Sequence, residues 1–120
     1  MGKRYNLVWS KLFEMLEAVD SVVKHYVKVM CRMLEADLGG FLDNLARECG
    51  FTYRFEPVEN GGGGVRYVPG LIISGNPGAK KVVEKELYER FPDIMSDSRL
   101  RIVAEPVRLS VEEIDKLKGR

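Results

Sequence analysis

The segment from Ser74 to Lys81 is the stretch whose residue types best suit the binding of a ligand. Its sequence, SGNPGAKK, leads from a predicted strand into a predicted helix. Free backbone N–H groups and the helix dipole favour an anion at such a junction, and two lysines follow in the first turn. The glycine spacing matches neither a P-loop nor a dinucleotide fingerprint. The segment is interpreted either as an ordinary turn, which we prefer, or as a phosphate-binding site formed by Gly75, Asn76, Gly78, Lys80 and Lys81.

Catalytic and metal-binding sites depend on histidine, cysteine and carboxylate side chains at suitable spacing. His25 is the only histidine, and it lies between Lys24 and Lys28 with no acidic residue three or four positions away. A single histidine cannot form a zinc site on its own, and the sequence does not indicate a Ser or Cys nucleophile that would pair with it. We therefore predict no catalytic residues, no metal site and no cofactor, and we favour a protein that is not an enzyme.

A basic surface on the predicted sheet is a further candidate, for nucleic acid. Single-strand binding sheets combine cations with stacking rings, and the residues available are Arg66, Arg99, Arg101, Arg108, Tyr53 and Tyr67. Glu56 and Glu105 share the same strands, however, and the net charge of the whole chain is only +1. Proteins that bind nucleic acid without sequence preference usually carry a clear basic excess, so this interpretation is secondary.

The composition is that of a globular protein. The chain has 120 residues, 45% of them hydrophobic and 31% charged, which fits one domain over residues 1–120. No apolar run of membrane-spanning length or signal-peptide type occurs, so we predict a cytoplasmic protein without a membrane partner. Cys31 and Cys49 are expected to be free thiols. The absence of glutamine and the single threonine, Thr52, are typical of thermophilic proteins.

A long amphipathic helix is the strongest pattern in the chain. Residues 3–38 contain no glycine or proline, and apolar residues recur in three columns of a heptad. About 30 residues would form a rod of roughly 45 Å, longer than the roughly 35 Å diameter of a compact domain of this size. Either the helix breaks at Asp20-Ser21 or a second chain covers its apolar stripe. We favour a homodimer whose interface comprises Val8, Trp9, Leu12, Met15, Leu16, Val19, Val22, Val23, Tyr26, Val29, Met30 and Met33.

The remaining elements complete an α+β fold in the order α-α-β-β-α-β-α. After Gly39-Gly40 a short second helix is expected to end at Gly50, which completes a helical part over residues 1–50. The ββαβα part over residues 51–120 contains a small three-stranded, mainly antiparallel sheet that packs on the helices. Its first two strands form a hairpin with Gly61–Gly64 at its mobile tip. A free edge of this sheet could pair across a dimer, and the last helix begins at a capping box at Ser110.

These patterns favour a non-enzymatic, self-associating α+β module that dimerises through its N-terminal helix. The alternative is a protein that binds nucleic acid or a phosphorylated ligand through the Gly75–Lys81 turn and nearby arginines.

Overall fold

The computed structural model describes residues 3–15, 19–61 and 65–105, with the side chain of Lys3 left out of account. In chain order these residues form α1 (Lys3–Glu14), α2 (Asp20–Cys49), β1 (Phe51–Glu59), β2 (Tyr67–Gly75), α3 (Ala79–Arg90), α4 (Pro92–Ser98) and β3 (Arg101–Glu105). Helices pack on a three-stranded sheet, which confirms the predicted α+β class. The helix predicted to begin at Ser110 lies outside the described residues.

A break in the N-terminal helix, one of the two alternatives, is present but lies before Asp20-Ser21, because α1 ends at Glu14 and α2 begins at Asp20. Val19 has an extended backbone, with φ −68° and ψ 157°, and its carbonyl accepts the first hydrogen bonds of α2. Asp20 in the first turn favours a helix start there. The break lets α1 fold back along α2, so that the hydroxyl of Tyr5 donates to Asp37 at 2.8 Å. Trp9, Leu12 and Met30 of the apolar stripe are buried within one chain.

The predicted break at Gly39-Gly40 is also wrong. A single helix, α2, runs for 30 residues through both glycines and ends at Cys49. Each glycine costs about 1 kcal/mol in a helix interior. Burial of Leu34, Leu38 and Leu42 offsets that cost, since all three side chains are fully buried. Gly50 caps the helix in the left-handed region with φ 71°, as predicted.

The sheet has the strand order β1-β2-β3 and is mixed. β1 and β2 form an antiparallel hairpin, whereas β2 and β3 are parallel, with Gly70 opposite Arg101. The sheet is therefore mainly antiparallel, as predicted, with one parallel pair of strands. A parallel neighbour needs a long crossover, and α3 with α4 provides one. Pro92 opens α4 at its first residue.

The two faces of the sheet have different environments. Odd-numbered residues of β1 and β2, such as Phe51, Leu71 and Ile73, face α2 and join the main core. Even-numbered residues such as Arg54 and Ser74, which both bond to Glu105, lie on an outer face, where Gly70 provides room for Val58. A Cβ atom on Gly70 would lie 2.5 Å from a methyl group of Val58.

The molecule is elongated. Its extents are 59 × 32 × 21 Å and its radius of gyration is 16.6 Å, against about 14 Å for a compact domain of this length. The free-thiol prediction is confirmed for Cys31 and Cys49. Among the described residues, no helix is long and apolar enough to cross a membrane.

Candidate functional site

The predicted ligand-binding turn lies at the carboxyl ends of the parallel strands β2 and β3, where ligands bind in open α/β sheets. The turn borders a concave surface with a volume of about 490 Å³. Three of the five predicted residues, Gly75, Asn76 and Lys80, line it together with Ile73, Pro77, Ala104 and Glu105. Gly78 is exposed in the same turn, and Lys81 is exposed outside the lining.

The polar atoms of Asn76 are engaged within the fold. Its Oδ1 accepts the N–H of Gly78 at 2.9 Å, and its Nδ2 donates to the carbonyl of Cys49 at 3.3 Å. α3 begins at Ala79 with Gly78 as its N-cap, so Asn76 lies ahead of the helix. Asn76 thus joins the end of α2 to the turn before α3, which is a structural role.

Gly75 is required by backbone geometry alone. Its φ is 124°, and a Cβ atom there would lie 2.8 Å from the carbonyl oxygen of Gly50. Only glycine adopts this conformation without strain. Its presence therefore needs no ligand to explain it.

The charges around the turn do little to favour the binding of an anion. Lys80 Nζ lies 3.6 Å from a carboxylate oxygen of Glu84. Glu105 adds a carboxylate to the same concave surface, where it accepts hydrogen bonds from Arg54 at 2.6 Å and Ser74 at 3.0 Å. One amine and one carboxylate thus line this surface, and they oppose each other in the recognition of a phosphate.

A second concave surface, which we call the β1 groove, lies between α2 and the outer edge of β1. Its volume is about 540 Å³. β1 is an edge strand, and no other strand among residues 3–15, 19–61 and 65–105 pairs with its outer side. The groove is lined by five consecutive strand residues and four helix residues: Phe51, Thr52, Tyr53, Arg54, Phe55, Glu35, Asp43, Ala46 and Arg47.

The hydrogen bonds of the hairpin determine which backbone groups face the β1 groove. At its two ends, Asn60 N–H donates to Arg66 O and Asn76 N–H donates to Gly50 O. Hydrogen-bonded and non-hydrogen-bonded pairs alternate along an antiparallel ladder. Even-numbered residues of β1 therefore bond to β2, and odd-numbered ones direct their N–H and C=O groups outward. Pro57, which has no N–H, is one of the outward set.

Tyr53 is held firmly on the α2 side of the β1 groove. Its hydroxyl donates to Asp43 at 2.6 Å and lies 3.2 Å from the carbonyl oxygen of Gly39. Burial, followed by the hydrogen bond to Asp43, raises the pKa of Tyr53 to about 12. The ring of Phe55 lies edge-on to that of Tyr53, with 5.9 Å between centroids. The helix side of the groove is therefore ordered before any partner binds.

Arg54 lies on the outer face of the sheet. It bonds to Glu105 at 2.6 Å and to Glu56 at 3.2 Å. The hydrogen bond to Glu105, and then that to Glu56, raises the pKa of Arg54 above its ordinary value. The guanidinium therefore stays charged at the rim of the β1 groove.

The predicted helical interface is only partly at the surface. Trp9, Leu12 and Met30 are buried in the chain's own core, with 3%, 4% and 0% exposure. These three side chains are enclosed within the chain, because α1 packs on α2. Val19 is 63% exposed, and Leu16 lies outside the described residues. The other seven are half-buried: Val8, Met15, Val22, Val23, Tyr26, Val29 and Met33.

The predicted basic surface is not assembled as expected. Arg66 pairs with Asp20 at 2.9 Å. Arg99 follows α4 instead of lying in a strand, and it stacks 4.9 Å from the ring centroids of Trp9 and Phe13. Arg101 is exposed on β3, and Arg108 lies outside the described residues.

His25 is exposed on α2 beside the ring of Tyr26. Within the described part of the chain, no three His, Cys, Asp or Glu side chains cluster closely enough to hold a metal ion.

Comparison with known proteins finds no matching family model, no similar curated protein and no similar solved structure.

Proposed function

We propose that this chain is a non-enzymatic module that associates with a second copy of itself, along β1 instead of along the N-terminal helix. The observation that carries the proposal is the outer edge of β1, which no strand in the described part of the chain pairs with and which has α2 as its wall. An unpaired strand edge is a template for a further strand, and addition of a strand to a sheet edge is a recurring mode of protein recognition.

Packing within the chain argues against the helical stripe as the main interface. α1 folds back onto α2 and covers part of the stripe within the chain. Tyr5 and Trp9 of α1 are almost fully buried there. β1 has no equivalent cover among the described residues.

The chemistry of the β1 groove supports binding more than catalysis. Tyr53 is neutral and bonded to Asp43, and its raised pKa makes it a poor base at neutral pH. Arg54 is tied to two carboxylates. A general base or nucleophile works best with a pKa near the operating pH, and neither group meets that condition.

Light scattering after size-exclusion chromatography tests the proposal. A species of twice 13.6 kDa is expected. A protein that stays monomeric up to concentrations about 100-fold above a micromolar dissociation constant would refute self-association.

A matched pair of variants tests the role of β1. Tyr53→Pro removes an outward N–H and leaves the hydrogen bonds to β2 in place, as Pro57 already does in the same strand. The variant should be monomeric with a native far-UV circular dichroism spectrum, whereas Tyr53→Phe should stay dimeric. A folded Tyr53→Pro protein that still dimerises would exclude β1.

Binding of an anionic ligand, or of nucleic acid, at the Gly75–Lys81 turn is the second candidate. It is favoured by the position of Lys80 on a concave surface at the carboxyl ends of β2 and β3. Titration with inorganic phosphate and with a single-stranded oligonucleotide should show salt-dependent binding that Lys80→Ala/Lys81→Ala weakens. Lys85→Ala, further along α3, is the control. Binding that Lys80→Ala/Lys81→Ala does not weaken would exclude this site.

The proposed module works as a homodimer in the cytoplasm of a thermophilic organism. Support for the source comes from the lack of glutamine and the high charged fraction of 31%. Thermal unfolding followed by circular dichroism checks it, and a midpoint in the mesophilic range of about 45–65 °C would contradict it.

A further inference from the structure

We propose that two copies of the chain pair β1 against β1, antiparallel, about a two-fold axis at Tyr53. The result would be one continuous six-stranded sheet with both copies of α2 on the same face. This inference rests on the proposed self-association and specifies its geometry.

The usable part of the free edge is short and well defined. Phe51, Tyr53 and Phe55 each direct an N–H and a C=O outward, and Pro57 ends the series because it has no N–H to donate. These three residues lie within the run 51–55, all five residues of which line the β1 groove. Their midpoint is Tyr53, and a symmetric strand pair has its axis at the midpoint of the overlap.

The two neighbouring registers are poorer. An axis at Arg54 would place the guanidinium of one copy directly opposite that of the other, and like charges in that position destabilise a strand pair. It would also place Pro57 against Phe51 of the second copy. An axis at Thr52 would shorten the ladder, because it brings Phe55 opposite Cys49 in α2.

The axis at Tyr53 avoids both problems. Phe51 of one copy lies opposite Phe55 of the other, and the two Tyr53 residues lie opposite each other. These three pairs offer six backbone hydrogen bonds and an aromatic row on the α2 side. On the outer face, Thr52 lies opposite Arg54 of the second copy, so no like charges meet.

The charges of the β1 groove favour a second copy over a strongly charged peptide. Glu35 and Asp43 contribute two carboxylates, and Arg47 and Arg54 contribute two cations. A two-fold interface brings a surface against itself, so a single-sign groove would repel its own copy. Among the described lining residues, the balance of two acids and two bases removes that obstacle.

Disulfide trapping of a mixed sample tests the axis. In a parent with Cys49→Ser, which keeps the buried Cys31, Thr52→Cys chains are mixed with affinity-tagged Arg54→Cys chains and mildly oxidised. Positions 52 and 54 would form a non-hydrogen-bonded pair with Cα atoms about 4.5 Å apart, within the range for a disulfide. A covalent tagged–untagged dimer is expected from the mixture, and little or none from either variant alone or from the parent.

The alternative results separate this inference from the proposed function. Efficient trapping by Thr52→Cys or Arg54→Cys alone would move the axis to that residue and overturn the inference. A dimer by light scattering without trapping would exclude β1 pairing and leave self-association standing. A monomer, including one that binds an unrelated extended peptide, would overturn both proposals.

A charge pair at position 52 provides a second test without cysteine. Thr52→Glu should tighten dimerisation, because it places a carboxylate opposite Arg54 of the second copy, and Thr52→Lys should weaken it. Two cross-strand pairs per dimer give an expected change of roughly 2- to 30-fold in Kd in each direction. Equal effects of the two variants, or none, would count against this register.

Discussion

Glycine residues in this chain have opposite effects on stability, according to their backbone geometry. Gly75 has a φ of 124° and no room for a side chain, whereas nothing lies within 4 Å of a Cβ atom placed on Gly40 in α2. We expect Gly75→Ala to lower the free energy of unfolding by about 1–3 kcal/mol. Gly40→Ala should raise it by about 0.5–1 kcal/mol through helix propensity.

Urea denaturation of the two glycine variants measures both changes. The opposite signs are the decisive result, because a general effect of adding a methyl group would move both variants in the same direction. A Gly75→Ala protein as stable as the unmodified chain would contradict the strained geometry of the turn.

Tyr53 should make stability depend on alkaline pH. Its ordinary pKa is 10.0 and burial raises it to about 12, so the folded state favours the neutral hydroxyl. The stability from this shift is complete below pH 10 and is lost as the pH rises towards 12. The difference in unfolding free energy between the unmodified chain and Tyr53→Phe should therefore be constant below pH 10 and shrink above it.

Denaturant unfolding at a series of pH values checks this prediction. Other groups that titrate in the same range act equally in both proteins and cancel in the difference. A difference that stays constant up to pH 12 would show that Tyr53 titrates normally.

Glycine was a reliable sign of a helix end at Gly50 but not at Gly39. Gly50 was predicted as a helix cap and is one, because the chain must turn there from α2 into β1. Gly39 was predicted to end a helix and does not. The packing of Leu38 and Leu42 decides that case, and tertiary packing of this kind overrides local propensity.

At the scale of elements, Asp37 anchors α1 to α2. Its carboxylate accepts the hydroxyl of Tyr5 at 2.8 Å and pairs with Arg4 at 2.6 Å. Asp37→Ala would leave the fully buried Tyr5 without its acceptor, and we expect a loss of about 1–3 kcal/mol. The exposed Arg4 adds little to that figure.

Hydrogen exchange of α1 amides is the most direct measurement of this anchor. In Asp37→Ala, the amides of α1 should exchange faster under conditions in which the amides of the sheet are still protected. Glu48→Ala removes an exposed carboxylate from the same helix and serves as the control. Equal protection of α1 in both variants would show that α1 is held by apolar packing alone.

The elements themselves were largely predictable, and their connections were not. Apolar columns at helical spacing predicted the residues of α1 and α2, but the same columns fit one rod or two packed helices. The break became favourable only because Trp9 and Leu12 find a core against α2 and α4. The parallel pairing of β3 likewise depends on α3 and α4 as a crossover, which strand patterns alone do not reveal.

The candidate site formed by local sequence was predictable, whereas the one formed by the arrangement of strands was not. The Gly75–Lys81 turn was predicted from local chemistry, and the structure brings Gly75, Asn76 and Lys80 to one surface. The β1 groove was not predicted as a site, although alternating Phe51, Tyr53 and Phe55 before Pro57 was a visible signal of a half-buried strand. Its free edge depends on strand order, which is a property of the whole sheet.

At the scale of the whole molecule, the elongated shape affects how association must be measured. The radius of gyration of 16.6 Å exceeds that of a compact domain of this length. A monomer should therefore elute from a size-exclusion column ahead of globular standards of 13.6 kDa. Sedimentation velocity should give a frictional ratio clearly above that of a sphere, and a compact value would contradict the described shape.

The mixed sheet also has a consequence for the order in which the molecule unfolds. α2, β1 and β2 are joined by short connections, so their contacts form with little loss of chain entropy. β3 pairs with β2 only after 25 intervening residues, 76–100, so this contact costs more chain entropy. β3 has five residues and is shorter than β1 and β2, which have nine each. Native-state hydrogen exchange should detect a partly unfolded form in which β3 has detached while the hairpin and α2 stay protected. The β2 edge would be bare in that form, and exposure of an edge of this kind favours aggregation.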